Sequence, residues 1–312
     1  MPPETELVTE KKDSRTKRLI KLLIKILITV ICFWYISKKI DFSQALQSIK
    51  NANWPYLFLS VLLYILSKVV AAYRLNIYFK NINLHLPPLQ NLKLYWLGMF
   101  YNLFLPGSIS GDAYKVVLLN KRLKAPYKKT SAAILLDRFS GLLGLGVILS
   151  IYGVMVLQDI RLDLLLITGC LVAIAGMYLL VRKLFKEFLP GFFPTFFWGI
   201  AVQGIQVLGV YLILAALHID SNFHQWIFIF LSASVISVLP ISLGGGLGTR
   251  EVVFTEGANL FGLDPHFGVI VSLLFYLSSV AGSLAGAYYI FHDPLKGMAA
   301  PGEEALATRH TE

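Results

Sequence analysis

Long apolar stretches, separated by short charged segments, make up most of the chain. Six of them are ordinary candidates for a helix of about 20 residues, the length that crosses a bilayer, and two are shorter. In chain order the eight stretches are 19–37, 54–73, 91–106, 134–157, 162–181, 192–217, 226–243 and 266–291. No stretch alternates apolar and polar residues with the period of two that a β-barrel strand requires. The pattern predicts an all-α integral membrane protein.

Both short stretches run into a break that is rich in glycine and proline. The stretch 91–106 ends in LPGSISGD, and the stretch 226–243 ends in LPISLGGGLGTRE. Proline removes a backbone donor and glycine relaxes the backbone, so one helix can end at each break and another can begin. The helix-break residues are Pro106, Gly107, Pro240, Gly246 and Gly248.

Positive charge in the loops predicts the direction of each crossing. Arg74, Lys80 and Lys93 precede the first broken segment, and a basic cluster at 115–129 follows it. Because cytosolic loops are rich in lysine and arginine, this segment is predicted to enter from the cytosol and turn back. Counting onward, the second broken segment turns back from the outer side. This topology has about six spanning helices, two opposed re-entrant segments and both termini in the cytosol.

The two breaks also resemble each other in sequence. Leu105, Pro106, Ser108 and Gly111 align with Leu239, Pro240, Ser242 and Gly245 at a constant offset of 134 residues. Paired interrupted helices in opposed halves are typical of inverted-repeat transporters, whose site lies near the midplane between them. We therefore predict an inverted repeat whose two re-entrant segments meet at a polar site.

The domain organisation is a single membrane domain, 19–293, between two cytosolic tails. Residues 1–18 form a basic tail, and residues 294–312 a C-terminal tail that is predicted to be disordered. The stretch 19–37 is too long for the apolar part of a signal peptide and ends in bulky residues, so we interpret it as an uncleaved anchor. Cys32 and Cys170 lie within apolar stretches, far apart in the chain, and are interpreted as ordinary core residues.

Charge composition agrees with a membrane location and argues against nucleic acid as a partner. Only 15% of the residues are charged, whereas a soluble domain has about 25%. The net charge is +10, but the basic residues flank apolar stretches. We predict the cell inner (cytoplasmic) membrane as the location and anionic lipid headgroups as partners.

Each helix that restarts after a break offers free N–H groups and a partial positive charge to an anion. In the first break Ser108 and Ser110 are candidate N-caps of a helix over about residues 112 to 120. In the second break the glycines at 244–246 permit close approach of the backbone to a ligand, and Thr249 can cap. Ionisable residues lie beside both breaks, and a charge at membrane depth is a candidate site residue by default. The candidate substrate-binding set is Ser108, Gly111, Asp112, Lys115, Asp137, Arg138, Gly244, Gly245, Thr249, Arg250 and Glu251.

Several charged residues have a second, plainer interpretation. Asp137 and Arg138 open the fourth stretch and could lie at the cytosolic interface. Lys68 is close to the end of its predicted span, where it could extend its ammonium group to the membrane surface. The cluster at 115–129 could be only a topology determinant. Histidines in the outer loops lack metal-ligand spacing, and we predict no metal and no cofactor.

Three motifs carry a resemblance to a known family: NLFLPGSISGDAYK, LLDRFSGLLGL and LPISLGGGLGTREVVF. In this order they resemble the lysylphosphatidylglycerol synthase transmembrane-region family, the flippase-like domain of multiple peptide resistance factors, over about residues 15 to 295. The resemblance implies lipid translocation across the inner membrane. Ser110 and Lys115 depart from the commoner glycine and arginine. The positions that fall on family motifs are Pro106, Gly111, Asp112, Lys115, Asp137, Arg138, Pro240, Gly244, Gly245, Gly248 and Glu251.

Three functions are compatible with these features. The first is a lipid translocase for an anionic phospholipid or polyprenyl-phosphate lipid, with a separately encoded lipid-modifying enzyme as a candidate partner. The second is a membrane-embedded glycosyl- or acyltransferase with Asp112 or Asp137 as general base. The third is a small-solute permease. No synthase domain follows Pro294 and no phosphate-binding loop motif occurs, so neither aminoacyl transfer nor ATP hydrolysis is expected and the chain is interpreted as a non-enzyme.

Overall fold

The computed structural model describes residues 47–104, 109–238, 246 and 248–298, together with the isolated positions 23, 27 and 34. The basic tail, nearly all of the first predicted span and the chain beyond residue 298 therefore lie outside the described residues. So do six candidate residues, namely Pro106, Gly107, Ser108, Pro240, Gly244 and Gly245.

The described chain is helical, and its long helices follow the predicted spans. Its helices are α1 (Trp54–Asn81), α2 (Pro88–Phe104), α3 (Ser110–Leu123), α4 (Tyr127–Leu157), α5 (Ile160–Leu184), α6 (Phe192–Ala216), α7 (Phe223–Val238), α8 (Thr249–Leu260) and α9 (Pro265–Phe291). A 3₁₀ turn, Lys186–Gly191, leads into α6. Among the described residues five helices are long and apolar enough to cross a membrane: α1, α4, α5, α6 with its 3₁₀ turn, and α9. An all-α membrane protein is thus confirmed.

Two helices are longer than their apolar stretches. The helix α1 continues from the predicted end at residue 73 to Asn81, and α4 begins at Tyr127 rather than at residue 134. Both extensions are rich in polar residues, which lower the hydropathy of a window without interrupting the helix. This difference moves several charged residues from predicted loops or interfaces into the helix bundle.

Both broken segments fold as antiparallel helical hairpins. In the first, a side-chain carbon on Gly111 of α3 would overlap the carbonyl oxygen of Gly98 of α2. In the second, Gly257 of α8 packs against Ile229 of α7, and Gly246 packs against Ser237. Each contact joins residues at similar distances on either side of the break, as in a chain that turns back on itself. The side from which each hairpin enters the membrane stays a prediction.

The elements of the two halves correspond to each other. The order long, short, short, long is found in α1 to α4 and again in α6 to α9, with α5 as the connection. Packing follows the same correspondence: α2 contacts α9 as α7 contacts α4, and α4 contacts α6 as α9 contacts α1. In the predicted topology α1 crosses toward the cytosol, and the next spanning helices, α4, α5 and α6, cross outward, inward and outward. The helices α1 and α6 therefore have opposite directions. This is the arrangement that an inverted repeat requires.

Two apolar cores lie at opposite ends of the long helices. On α1, Leu57 belongs to one core and Leu75 to the other, and on α4 Leu145 and Ile134 are divided in the same way. Between these positions both helices carry charged residues that face the interior. The fold therefore places a polar layer between two well-packed apolar regions.

The close contact inside the first hairpin gives a testable prediction. Replacing Gly111 by alanine is expected to destabilise the protein by about 1–3 kcal/mol, because the added carbon meets the rigid backbone of Gly98. Thermal unfolding of the purified protein in detergent measures this loss. Gly176 of α5 is the matched control, since its surroundings are open and Gly176→Ala should not reduce stability. Equal stability of both variants would contradict the tight hairpin.

Candidate functional site

Both hairpins, near their breaks, line one polar cavity of about 330 Å³. The first hairpin contributes Tyr95 and Asn102 from α2, and the second contributes Ser237 from α7 and Arg250 from α8. Side chains of α1, α4, α6 and α9 complete the wall. The two broken segments thus meet at one polar cavity, as the sequence predicts.

The start of each short helix differs from its predicted cap. The helix α3 has Ile109 at its N-cap position without a side-chain cap, so Ser110 is not the cap. Gly248, at a φ of 87°, is the N-cap residue of α8, and its N–H donates to Glu251 Oε2 at 2.7 Å. The Thr249 hydroxyl donates backwards to the carbonyl oxygen of Gly246 at 2.9 Å. The prediction that Thr249 caps this helix was therefore wrong. The Glu251 carboxylate, three residues after Gly248, accepts a hydrogen bond from the free N–H of Gly248 instead.

An acidic residue occupies the third position of both restarted helices, but the two carboxylates have different partners. Asp112 accepts a hydrogen bond from Lys115 Nζ at 3.0 Å and another from Arg138 Nε. Glu251 accepts from the Gly248 N–H and from the Ser272 hydroxyl, the latter at 2.9 Å. The predicted pairing of Asp112 with Lys115 is present. The first hairpin thus places its carboxylate between two cations, whereas the second holds its carboxylate with neutral donors.

A second buried ion pair lies next to this cluster. Arg74 Nε of α1 donates to Asp137 Oδ1 of α4 at 2.8 Å, and both residues are buried. Assigning Arg74 to a cytosolic loop was wrong, because α1 continues past it. Asp137 lies ten residues beyond Tyr127, the first residue of α4, and it lies within the bundle rather than at the interface. Adjacent residues on a helix point about 100° apart, so Asp137 meets Arg74 while Arg138 meets Asp112.

A smaller cavity of about 140 Å³ lies among these charges and shares part of its wall with the large one. Its wall contains Arg74, Asp112, Lys115, Asp137 and Arg138, and Arg138 also lines the large cavity. The Lys115 ammonium lies 4.5 Å from the centre of the Tyr95 ring, a residue that the two cavities share. Four predicted charged residues are therefore brought together, and Arg250 joins them through the large cavity. Glu251 is turned toward its own helix end, and Gly111 serves helix packing.

Three cations and no carboxylate are found in the described wall of the large cavity. They are Lys68, Arg138 and Arg250. Arg250 is 5% exposed, and its Nε and Nη2 atoms have no hydrogen-bond partner among the described residues. Its guanidinium group lies 4.8 Å from the centre of the Phe275 ring. Since a buried guanidinium group with unused donors is costly, this cavity favours an anion.

Sequence reasoning missed Lys68 as a site residue. The predicted span ended only five residues after it, which favoured an ammonium group at the membrane surface. In the structure α1 continues for 13 residues after Lys68, to Asn81, so Lys68 is near the middle of the helix. Its ammonium lies 4.6 Å from the centre of the Tyr64 ring. An isolated lysine inside an apolar span was the available signal.

In the described part of the chain, no three His, Cys, Asp or Glu side chains lie close enough to hold a metal ion.

Comparison with known proteins identifies the family. The family described as "Lysylphosphatidylglycerol synthase TM region" matches residues 22–191 and 182–286. The chain belongs to this family. It is also similar to the UPF0104 membrane protein PH1989 of Pyrococcus horikoshii, with 19% identity over 326 residues, 86% of this chain and 96% of that protein.

In this member of the lysylphosphatidylglycerol synthase TM family, the three motifs that carry the resemblance meet in space. The first motif contributes Asn102 and Asp112, the second contributes Arg138, and the third contributes Arg250. The first and third motifs lie more than 100 residues apart in the chain, yet both line this pair of adjoining cavities. The predicted family membership is confirmed, and each motif contributes at least one residue to the candidate site.

Proposed function

We propose that this multi-pass membrane protein is a lipid translocase that moves an anionic phospholipid or polyprenyl-phosphate lipid between the leaflets of the cell inner membrane. The observation that carries the proposal is the large cavity, whose wall contains three cations, from α1, α4 and α8, and residues of both hairpins. In the predicted orientation of the protein, both termini lie in the cytosol. An electrochemical gradient, the lipid asymmetry itself or a partner such as a lipid-modifying enzyme would supply the drive.

The charged residues have separate roles in this proposal. Arg250 and Lys68 bind the phosphate of the headgroup, because neither has a carboxylate as an ion-pair partner among the described residues. Arg138 lies between the two cavities and shares its charge between Asp112 and an arriving headgroup. The acyl chains stay in the bilayer while the headgroup crosses through the polar layer. A charge in hydrocarbon costs several kcal/mol, and the cavity lowers that cost.

The state of the carboxylates supports transport over a transferase. A general base needs a carboxylate that can accept a proton from its substrate. In the cavity walls that the structure describes, Asp112 and Asp137 are both ion-paired with cations. A small-solute permease would use the same cations, so solute competition is part of the test.

Reconstitution into liposomes tests the proposed function. Wild-type protein is expected to accelerate movement of a fluorescent anionic phospholipid between leaflets, and an Asp112→Asn, Arg250→Ala double variant is expected to lose most of that activity. Rates are measured with and without ion gradients. Equal rates for wild type and double variant under every gradient would contradict a translocase. Formation of a labelled product would favour the transferase, and uptake of a phosphorylated solute without lipid competition would favour the permease.

Cysteine labelling tests the opposed entry of the hairpins. His85 and Lys124 are exposed residues on either side of the first hairpin, and Asp220 and Asp264 are exposed on either side of the second. In a background without native cysteines, residues 85 and 124 are expected to react from the cytosolic side and residues 220 and 264 from the outer side. Labelling of 85 and 124 from different sides would contradict a re-entrant first hairpin.

A further inference from the structure

Neutral hydrogen-bonding side chains surround the cations of the large cavity. Besides Asn102, they are Gln203, Gln206, Ser234, Ser237, Ser279 and Ser283, which belong to α6, α7 and α9. A phosphate group alone requires donors, and the three cations already supply them. The additional polar wall therefore points to a second polar part of the ligand.

The four serines offer acceptors rather than donors. Each hydroxyl proton is used within its own helix, as in Ser237, which donates to the carbonyl oxygen of Ala233 at 2.7 Å, and Ser279, which donates to that of Tyr276 at 2.7 Å. Ser234 and Ser283 are bound in the same way. The lone pairs of Ser234, Ser237 and Ser283 stay open to a ligand, whereas Ser279 also shares a hydrogen bond with the Tyr64 hydroxyl. Gln203 adds a buried amide oxygen that has no hydrogen-bond partner. A complementary ligand carries hydrogen-bond donors beside its phosphate.

Those donors are hydroxyl groups rather than an ammonium group. An ammonium also donates, but it would enter a wall with Lys68, Arg138 and Arg250 and no carboxylate among its described residues. The carboxylates of the adjoining cavity, Asp112 and Asp137, already pair with cations. Like charges at close range in a poorly hydrated site repel strongly. An amine headgroup is thus excluded by charge, while a hydroxyl fits both the acceptors and the cations.

The volume of the cavity matches a small headgroup. One water occupies about 30 Å³ in the liquid, so a cavity of about 330 Å³ holds a group of about ten non-hydrogen atoms. A glycerophosphate group has this size.

We infer that the headgroup recognised by this protein is a phosphate diester with a small polyol and without an amino group. The inference rests on the proposed function, because it assigns a substrate class to the same cavity. It separates this chain from a carrier of aminoacylated lipids, whose headgroups bear an ammonium group.

Three phospholipids with matched acyl chains test the inference. Phosphatidylglycerol and phosphatidylethanol have the same charge and differ in hydroxyl groups, and phosphatidylethanolamine adds an ammonium to phosphatidylethanol. In competition against fluorescent phosphatidylglycerol on the purified full-length protein in detergent, phosphatidylglycerol is expected to bind about tenfold more tightly than phosphatidylethanol. Phosphatidylethanolamine is expected to bind about tenfold more weakly than phosphatidylethanol.

Serine variants connect this preference to the cavity. Ser237→Ala should reduce the preference for phosphatidylglycerol over phosphatidylethanol by about threefold, because one acceptor is lost. Ser278 also donates to the carbonyl oxygen four residues earlier, that of Leu274 at 2.9 Å, but it is buried and does not line the cavity. Ser278→Ala is therefore the matched control and should leave the preference unchanged.

The outcomes separate the inference from the proposed function. Equal binding of phosphatidylglycerol and phosphatidylethanol, or tighter binding of phosphatidylethanolamine, would overturn the polyol assignment even if lipids are moved. The same holds if Ser278→Ala and Ser237→Ala change the preference equally. Absence of any lipid movement in liposomes, together with the expected binding order, would overturn translocation and leave the headgroup assignment standing.

Discussion

Replacing Arg250 by methionine is expected to stop lipid movement and, at the same time, to raise the thermal stability of the lipid-free protein. The guanidinium is 5% exposed, and two of its nitrogens have no hydrogen-bond partner. Methionine fills similar space against Phe230 and Phe275 without a buried charge, so the empty protein becomes more stable, by about 1 kcal/mol or more. Most substitutions of buried residues destabilise a protein. A gain in stability would therefore be a specific sign of a buried cation that has no ion-pair partner among the described residues.

The loss of binding should be large. Removing one partner of a buried, hydrogen-bonded charge pair costs about 3 kcal/mol or more, which is over a hundredfold in affinity. Binding of fluorescent phosphatidylglycerol and movement between liposome leaflets measure this effect, and thermal unfolding in detergent measures stability. Arg182→Met is the control, since Arg182 is exposed on α5 and outside the cavities. An Arg250→Met protein that binds lipid like wild type would exclude Arg250 from the site.

The availability of Arg250 follows from a difference between the two halves. Asp112 and Glu251 occupy the same position in α3 and α8, yet only Asp112 is ion-paired with cations. Glu251 is held by the Gly248 N–H and the Ser272 hydroxyl. Because Glu251 bonds to these neutral groups rather than to Arg250, the Arg250 guanidinium group keeps its hydrogen-bond donors for a ligand. A repeated fold thus provides one anion site rather than two equivalent ones.

Much of the fold could be predicted from the sequence because it depends on local patterns. Apolar length identified the spans, and α6 and α9 match the stretches 192–217 and 266–291 within one residue at each end. Glycine and proline located both hairpins, and the order of elements agrees with the repeat first seen in the aligned breaks.

The partners of the charged residues could not be predicted in the same way. Arg74 and Asp137 are 63 residues apart in the chain, and their contact depends on how α1 and α4 are rotated in the bundle. A hydropathy window ends at the first charges, so it placed Arg74 outside the membrane and Lys68 near a surface. The capping of α8 was not predicted correctly because two side chains, Thr249 and Glu251, can accept from the free N–H groups at its start. In the structure the Glu251 carboxylate reaches back over one turn to the Gly248 N–H.

Breaking the ion pair between Arg74 and Asp137 is expected to give the largest loss of stability in the described chain. Both residues are buried, and Asp137→Leu leaves the Arg74 guanidinium without its carboxylate, 5% exposed and with Nη1 already lacking a hydrogen-bond partner. Removal of one partner of a buried pair costs about 3–5 kcal/mol. Gly141 and Gly199 lie beside Nη1 and leave little room on that side of the guanidinium group. Thermal unfolding in detergent should show a strongly lowered midpoint.

A second substitution shows whether charge or packing causes that loss. Arg74→Met combined with Asp137→Leu removes both charges, and replacement of a buried pair by apolar residues is often neutral or stabilising, so stability should return close to that of wild type. The exposed pair of Lys129 and Glu187 is the control, where Glu187→Gln should cost less than about 1 kcal/mol. Neither Arg74 nor Asp137 lines the large cavity, so the double variant should still bind phosphatidylglycerol. If it folds but no longer binds, the ion pair shapes the anion site itself, and the division between a structural pair and a binding cavity is wrong.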